Sequence, residues 1–338
     1  LEKKMGIHAS PTCVMEYDGA TGWLIGAANK GLACMFTMMN AARLNVGVQG
    51  VAVGEAAYQA AFAYAQERKQ GKVAGVDGAA PILHHADVRR TLTTMRARVA
   101  AARSICYACA VAADLAEASP DADVRAAAKL REDLLTPIAK AWSSDMGVEA
   151  ASMGVQVHGG MGFMNETLAA QLYRDSRIAP IYEGTNGIQA IDLVGRKLSG
   201  TNGESMRVML GEVEATAAAA RATNDPQLVQ IADRLKAAAS ALREASDWML
   251  EQMKSREQDK ALAGATAYLE LAGDVIGGHF LTRSAVAARS SDGAARARRL
   301  ALAGFFAETA LASAPGRVAG ITEGGSRFLE NSEALFGV

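Results

Sequence analysis

Glu183 is the residue of this chain whose surroundings in sequence best suit moving a proton. It ends an apolar run, Ile178, Ala179, Pro180, Ile181 and Tyr182, and precedes a Gly184-Thr185-Asn186-Gly187 turn. A carboxylate held against apolar side chains resists ionisation and gains strength as a base. Gly184 and Gly187 permit positive φ or a close backbone approach to a ligand. Together these suit proton abstraction from a weakly acidic carbon. The same residues also read as a helix-capping loop with a solvated glutamate, and spacing alone does not separate the two readings.

Other candidates are scattered along the chain. Arg43 closes a Met-rich segment, Met35–Met39, and fits either a salt bridge or an orienting role near an active site. Met at this spacing reads first as core. Arg68 stands with Lys69 and Lys72 at the end of a helical pattern, where a cation favours the C-terminal dipole. Gln156 precedes Gly159-Gly160, which allows close backbone approach beside an amide that both donates and accepts. Gly159–Gly162 is not a dinucleotide fingerprint, since no strand–turn–helix unit surrounds it. Cys106 and Cys109 fall within a helical pattern without a second pair or a nearby His, so they read as small core residues, not a metal or redox site.

Helices must position these residues. The pattern is helical nearly throughout after Gly26: Asn29–Gln70, then His85–Ala118, then Asp121–Val157 with an expected kink or split at Thr136-Pro137. A short helix is expected at Glu166–Arg174 and another at Gly187–Lys197, on either side of the Glu183 loop. Long antiparallel helices with short connections predict a four-helix bundle. Ser199-Gly200-Thr201-Asn202-Gly203 is the clearest boundary. Beyond it four further helices are expected, about Glu204–Thr223, Pro226–Glu257, Leu262–Arg289 and Gly293–Ser313. Leu1–Ile25 reads as a short β remnant, with strand-like pieces at Cys13–Tyr17 and Trp23–Ile25. The fold class is therefore all-α, a four-helix bundle plus a helical extension. The divisions are residues 1–26, 27–198 and 204–338.

Composition sets limits. The chain has 338 residues, half of them hydrophobic, and a net charge of −1, so it has material for a large core and no basic face for nucleic acid. Arg289, Arg296, Arg298 and Arg299 form a basic stripe that reads as a solvated helix face. No apolar run approaches the ~20 residues of a membrane span, and no secretory signal is legible. The sparse cysteines point to a cytoplasmic, reducing compartment.

Four motifs occur in an order that resembles the acyl-CoA dehydrogenases. They are Phe36–Arg43, Glu67-Arg68-Lys69-Gln70-Gly71, Gln156–Phe163, and Arg174-Asp175-Ser176-Arg177 leading to Tyr182-Glu183-Gly184-Thr185. The similarity covers roughly Trp23–Leu198. Beyond it the chain resembles the C-terminal extension of a longer subgroup, which includes the methylthiopropanoyl-CoA dehydrogenases.

The resemblance implies an FAD enzyme. It would dehydrogenate an acyl-CoA thioester and pass electrons to an electron-transfer flavoprotein. It makes Glu183 the base; the family's alternative base position, just before Arg43, is Ala42 here. It makes Arg43 and Tyr182 substrate-side residues. Arg68, Gln156, Gly159, Gly160, Thr185 and Asn186 become flavin contacts, some reaching across a homodimer or homotetramer interface. The family often has His-Gln where this chain has His85-Ala86. No metal, nucleic acid or membrane span is implied. Family members carry a helical domain and a β-domain ahead of this region, so the chain reads as a C-terminal portion. The alternative is a non-enzymatic helical assembly or regulatory fragment lacking the flavin-binding β-domain.

Overall fold

The computed structural model describes residues 1–255 and 257–337 and, within them, every side chain but those at 36, 37 and 326–328. The Phe36 side chain of the Met-rich motif thus lies outside the described residues. Three long helices form the first half: α1 (Gly31–Glu67), α2 (Ala86–Ala118) and α3 (Ala122–His158). Two short ones follow, α4 (Leu168–Ser176) and α5 (Asn186–Asp192), and α5 runs on as a π-turn over Leu193–Leu198. The loop carrying Glu183 joins α4 to α5.

Helix α3 is the axis of this half. From Leu134 to Ser144 every residue is buried, which requires cover on all sides. α1 and α2 supply most of it, with α5 and α8 (Gln258–Ala287) closing the rest. α1 can lie against α3 because its facing residues are glycines. A Cβ on Gly50 would stand 2.2 Å from the Ser143 carbonyl oxygen, and one on Gly47 would stand 2.5 Å from that of Ala139.

Pro137 does not split α3, contrary to the sequence expectation; the helix runs unbroken through it. The missing proline amide leaves the Asp133 carbonyl without its helical donor. Next to it, the Glu132 carbonyl accepts from the Thr136 hydroxyl at 2.8 Å, with the Cys109 thiol 4.0 Å away. Burial on every side holds the helix continuous against the local penalty.

The β remnant is also corrected. Residues 1–30 contain no strand, and the described residues hold only an isolated bridge between Lys69 and Pro81. Cys13–Tyr17 and Trp23–Ile25 have strand-like composition, but a strand needs a neighbouring backbone to pair with, and no second strand is present. By length and composition alone, α2 is apolar enough to cross a membrane. Its buried side chains, among them Leu92, Met95, Val99 and Ile105, belong to the core shared with α1 and α3.

The second half comprises α6 (Glu204–Arg221), α7 (Pro226–Lys254), α8, α9 (Gly293–Phe306), α10 (Ala312–Thr322), α11 (Gly324–Glu330) and α12 (Ser332–Phe336). Asp225 caps α7 through its carboxylate, with Pro226 in the first turn. The helical content past Ser313 exceeds the expectation. Pro315 sits inside α10 because a π-turn, Ala307–Leu311, precedes it and relaxes the hydrogen-bond ladder where the proline amide is missing.

One apolar core runs through both halves. At the seam, Trp142 Nε1 donates to Asp274 Oδ1 at 3.1 Å, and Arg317 pairs with Asp274 Oδ2 at 2.8 Å. Burial pushes the Asp274 carboxyl up despite the nearby Arg98 and Arg317 cations.

A candidate active site at the Glu183 loop

The loop after α4 folds back in tight turns. Ile181 and Tyr182 amides both donate to the Ile178 carbonyl, at 2.9 and 3.1 Å, and the Asn186 amide donates to the Pro180 carbonyl at 3.0 Å. Between these bonds Glu183 and Gly184 take φ of +56° and +85°. Glycine accepts that conformation freely, but glutamate does so only under constraint, and such constraint gathers at functional sites. A Cβ at Gly184 would also stand 2.8 Å from Gln189 Nε2. Gly187 lies within α5 and carries no positive φ.

Three side chains hold this backbone. Buried Gln189 reaches from α5 to the Glu183 and Gly184 carbonyls, at 3.4 and 3.5 Å. Thr185 caps α5 by accepting from the Ile188 amide at 3.3 Å. Tyr182 donates its hydroxyl to Gln49 Oε1 on α1, and its burial raises the phenol above its usual range.

The Glu183 carboxylate itself makes no hydrogen bond or ion pair among the described residues. Its side chain is half-buried. The expected apolar shell is only partial. Ala179 and Pro180 are buried and Ile178 is half-buried, but Ile181 is exposed. The bundle supplies a floor beneath the loop and leaves its outer side open.

Arg43 is buried under the loop. Its Nη1 pairs with Asp192 Oδ2 at 3.4 Å, and its Nη2 lies 3.9 Å from the Cβ position of Gly184. The salt-bridge reading of Arg43 is thus observed, and the bridge fixes the guanidinium beneath the Glu183 loop. Asp192 is shared with Arg196. The Asn186 side chain bonds inward, to α3. Its Oδ1 accepts from Lys140 Nζ at 2.7 Å, and its Nδ2 donates to the Ala141 carbonyl and Ser144 Oγ, at 3.1 and 3.0 Å. Burial pulls Lys140 down to about 8, while Asp145 and Glu183 hold it up and Arg43 opposes them. Met35 and Met38 are exposed, so the reading of the Met-rich segment as core does not hold for them.

The second group of candidates lies at the far end of the same helices. Arg68 caps α1, exposed, and its Nη2 donates to Gln70 Oε1 at 3.4 Å. Gln156, Gly159 and Gly160 are exposed at the end of α3. Gly159 turns with φ +59°, and a Cβ on either glycine would meet nothing within 4 Å. Tyr64 and His158 join the two helix ends. The rise of an α-helix separates Gln49 from Arg68 by about 28 Å. The structure thus gathers Arg43, Tyr182, Glu183, Thr185 and Asn186 in one place and Arg68, Gln156, Gly159 and Gly160 in another. A cation without an ion pair among the described residues, an exposed amide and two open glycines are a donor set suited to a phosphate group.

Sequence reasoning missed Gln49, Lys140, Gln189 and Asp192. Each acts through a partner distant in sequence or fixed by the local turn. One signal was present for Lys140, a lone charge inside the apolar stretch Thr136–Trp142.

Residues 29–199 match the family described as acyl-CoA dehydrogenase, C-terminal domain, and residues 209–331 match acetyl-CoA dehydrogenase C-terminal like. The chain belongs to the acyl-CoA dehydrogenase family. It is 42% identical to 3-methylmercaptopropionyl-CoA dehydrogenase of Ruegeria pomeroyi, over 98% of this chain and 57% of that protein. It is 37% identical to a butyryl-CoA dehydrogenase of Syntrophomonas wolfei, over 63% of this chain and 37% of that protein. The fold is shared with an acyl-CoA dehydrogenase from Bacillus anthracis, solved in complex with FAD. There the TM-score is 0.70 at 21% identity, covering 90% of this chain and 53% of the other. The chain spans about half the length of the relatives it matches along most of its own length.

Proposed function

We propose that this chain is the catalytic C-terminal portion of an FAD-dependent acyl-CoA dehydrogenase that introduces an α,β double bond into an acyl-CoA thioester. The observation that carries this reading is Glu183, an unpaired carboxylate held in left-handed backbone by Gln189 and a closed turn. Glu183 takes the α-proton, made acidic by the thioester carbonyl. A bound FAD would supply the acceptor for the β-hydrogen. Arg43, fixed by Asp192, keeps a positive charge beside the base, and Tyr182, anchored on Gln49, forms the adjoining wall for the acyl chain.

Arg68 with Gln156, Gly159 and Gly160 would hold the pyrophosphate and ADP part of a neighbouring subunit's FAD. The wide separation of these residues from Glu183 supports a homodimer or homotetramer, in which each cofactor draws on two chains. Residues 27–198 are the bundle of this catalytic unit and 204–338 its helical extension, with residues 1–26 leading in from the preceding part. The named relative supports a methylthiopropanoyl-CoA substrate. Electron-transfer flavoprotein is the electron acceptor in this reading, and the setting is cytoplasmic.

The test is Glu183→Gln in the full-length, flavin-loaded protein. The amide keeps the shape of the side chain but takes no proton, so stopped-flow reduction of flavin by acyl-CoA falls by at least about 10³-fold while flavin content stays constant. Reduction at the wild-type rate removes Glu183 as the base.

A further inference from the structure

Lys140 is fully buried, and its ammonium bonds a neutral amide, Asn186 Oδ1, at 2.7 Å. No carboxylate lies within ion-pair distance of it among the described residues. A buried charge without a close counter-ion is an expensive placement, and an apolar side chain of similar volume would be cheaper for folding alone. The charged groups that act on Lys140 are Asp145 on its own helix, Arg43 from α1 and Glu183 from the loop. Arg43 is held by Asp192, which Arg196 also engages.

The mechanical link is short. Lys140 holds Asn186, whose amide nitrogen is tied to Ala141 and Ser144, while the Asn186 backbone closes the turn onto Pro180. Glu183 lies within that closed turn. We propose that Lys140 is a positioning residue for Glu183: its bond to Asn186 locks the loop that carries the base. This rests on the reading of Glu183 as the base. Burial brings Lys140 down to about 8, so its charge is lost within the range in which such an enzyme can be assayed.

Two substitutions in the full-length, flavin-loaded protein separate the roles. Lys140→Met removes both the grip and the charge; Lys140→Gln keeps a donor for Asn186 and removes only the charge. Both variants are expected to keep wild-type flavin content and to unfold at or above the wild-type temperature, because an uncompensated charge has gone. Lys140→Met lowers kcat about tenfold or more, with KM little changed. Lys140→Gln, with a donor left for Asn186, recovers most of that loss. Should Lys140→Met not fold, Asn186→Ala cuts the same link from the loop side and takes its place. Wild-type kcat in Lys140→Met, or a Lys140→Gln no more active than Lys140→Met, overturns the proposal. Wild-type protein whose flavin acyl-CoA does not reduce overturns the dehydrogenase reading itself, and the Lys140 role with it. Normal wild-type reduction with a Lys140→Met variant of wild-type kcat refutes Lys140 alone.

Discussion

The ring of Tyr64 stacks on the imidazole of His158, with centroids 4.5 Å apart and planes inclined by 28°. His158 also bonds back to the Gly154 carbonyl at 2.7 Å. The pair ties the end of α1, which presents Arg68, to the end of α3, which presents Gly159 and Gly160. His158→Ala should cost about 0.5–1.5 kcal/mol of stability, the worth of an aromatic pair. If this end holds FAD as proposed, the substitution should also weaken FAD binding, because the two helix ends lose their common anchor. Thermal melts and a flavin fluorescence titration read the two effects; unchanged flavin affinity would separate the stack from the cofactor.

Gly50 and Gly211 make a matched pair of tests. Gly50→Ala drives a methyl against the Ser143 carbonyl, where backbone faces backbone and neither yields. A loss above about 3 kcal/mol is expected, or failure to fold. Gly211 lies exposed in the middle of α6 with open space around it. Gly211→Ala should stabilise by about 0.5–1 kcal/mol through helix propensity. Urea unfolding measures both, and opposite signs are required.

The four thiols should split two and two. Cys13 and Cys34 are exposed, whereas Cys106 and Cys109 are buried. Burial pushes Cys106 up to about 11 and Cys109 up to about 12, so little thiolate forms at neutral pH. A disulfide reagent at pH 8 should titrate two thiols quickly in the native protein and four in denaturant. Four fast thiols would mean that α2 opens readily from α3.

His279 predicts acid sensitivity. Both ring nitrogens are buried without a partner, and burial lowers its pKa to about 4. The unfolded chain binds the proton first as pH falls from about 6.5, so stability drops between about pH 6.5 and 4, by at most about 3 kcal/mol. Asp145, Glu270 and Asp274, which burial pushes up, act in the opposite sense, because the folded state holds their protons longer. The difference between wild type and His279→Phe isolates the histidine. Chemical denaturation at pH 7 and pH 5 should show a smaller acid loss in the variant.

Helix periodicity alone carried the sequence reading to an all-α fold and to most helix limits. It erred where tertiary burial outweighed local preference. Pro137 and Pro315 both lie inside helices, one held by cover on all sides and the other preceded by a π-turn. The strand-like composition near the N-terminus failed for the converse reason, since residues 1–30 lack a partner strand. For the site, Glu183 stood out because its neighbours in sequence are also its neighbours in the loop. Asp192 and Lys140 did not, because Arg43 meets Asp192, and Lys140 meets Asn186, only once α1, α3 and α5 have packed.

The contact of Trp142 with α8 limits how this chain can be divided or trimmed. A Cβ on Gly273 would stand 2.2 Å from the indole ring, so α8 lies flush on it. A cut at the Ser199–Gly203 break, however natural it looks in sequence, would leave each piece with a raw apolar wall. In the bundle it would also turn the Trp142 indole to water, with a red shift in its emission. The helices from α6 onward thus act as the outer casing of the bundle's interior, and they could not have been added to or lost from such a protein without remaking the surface of α3.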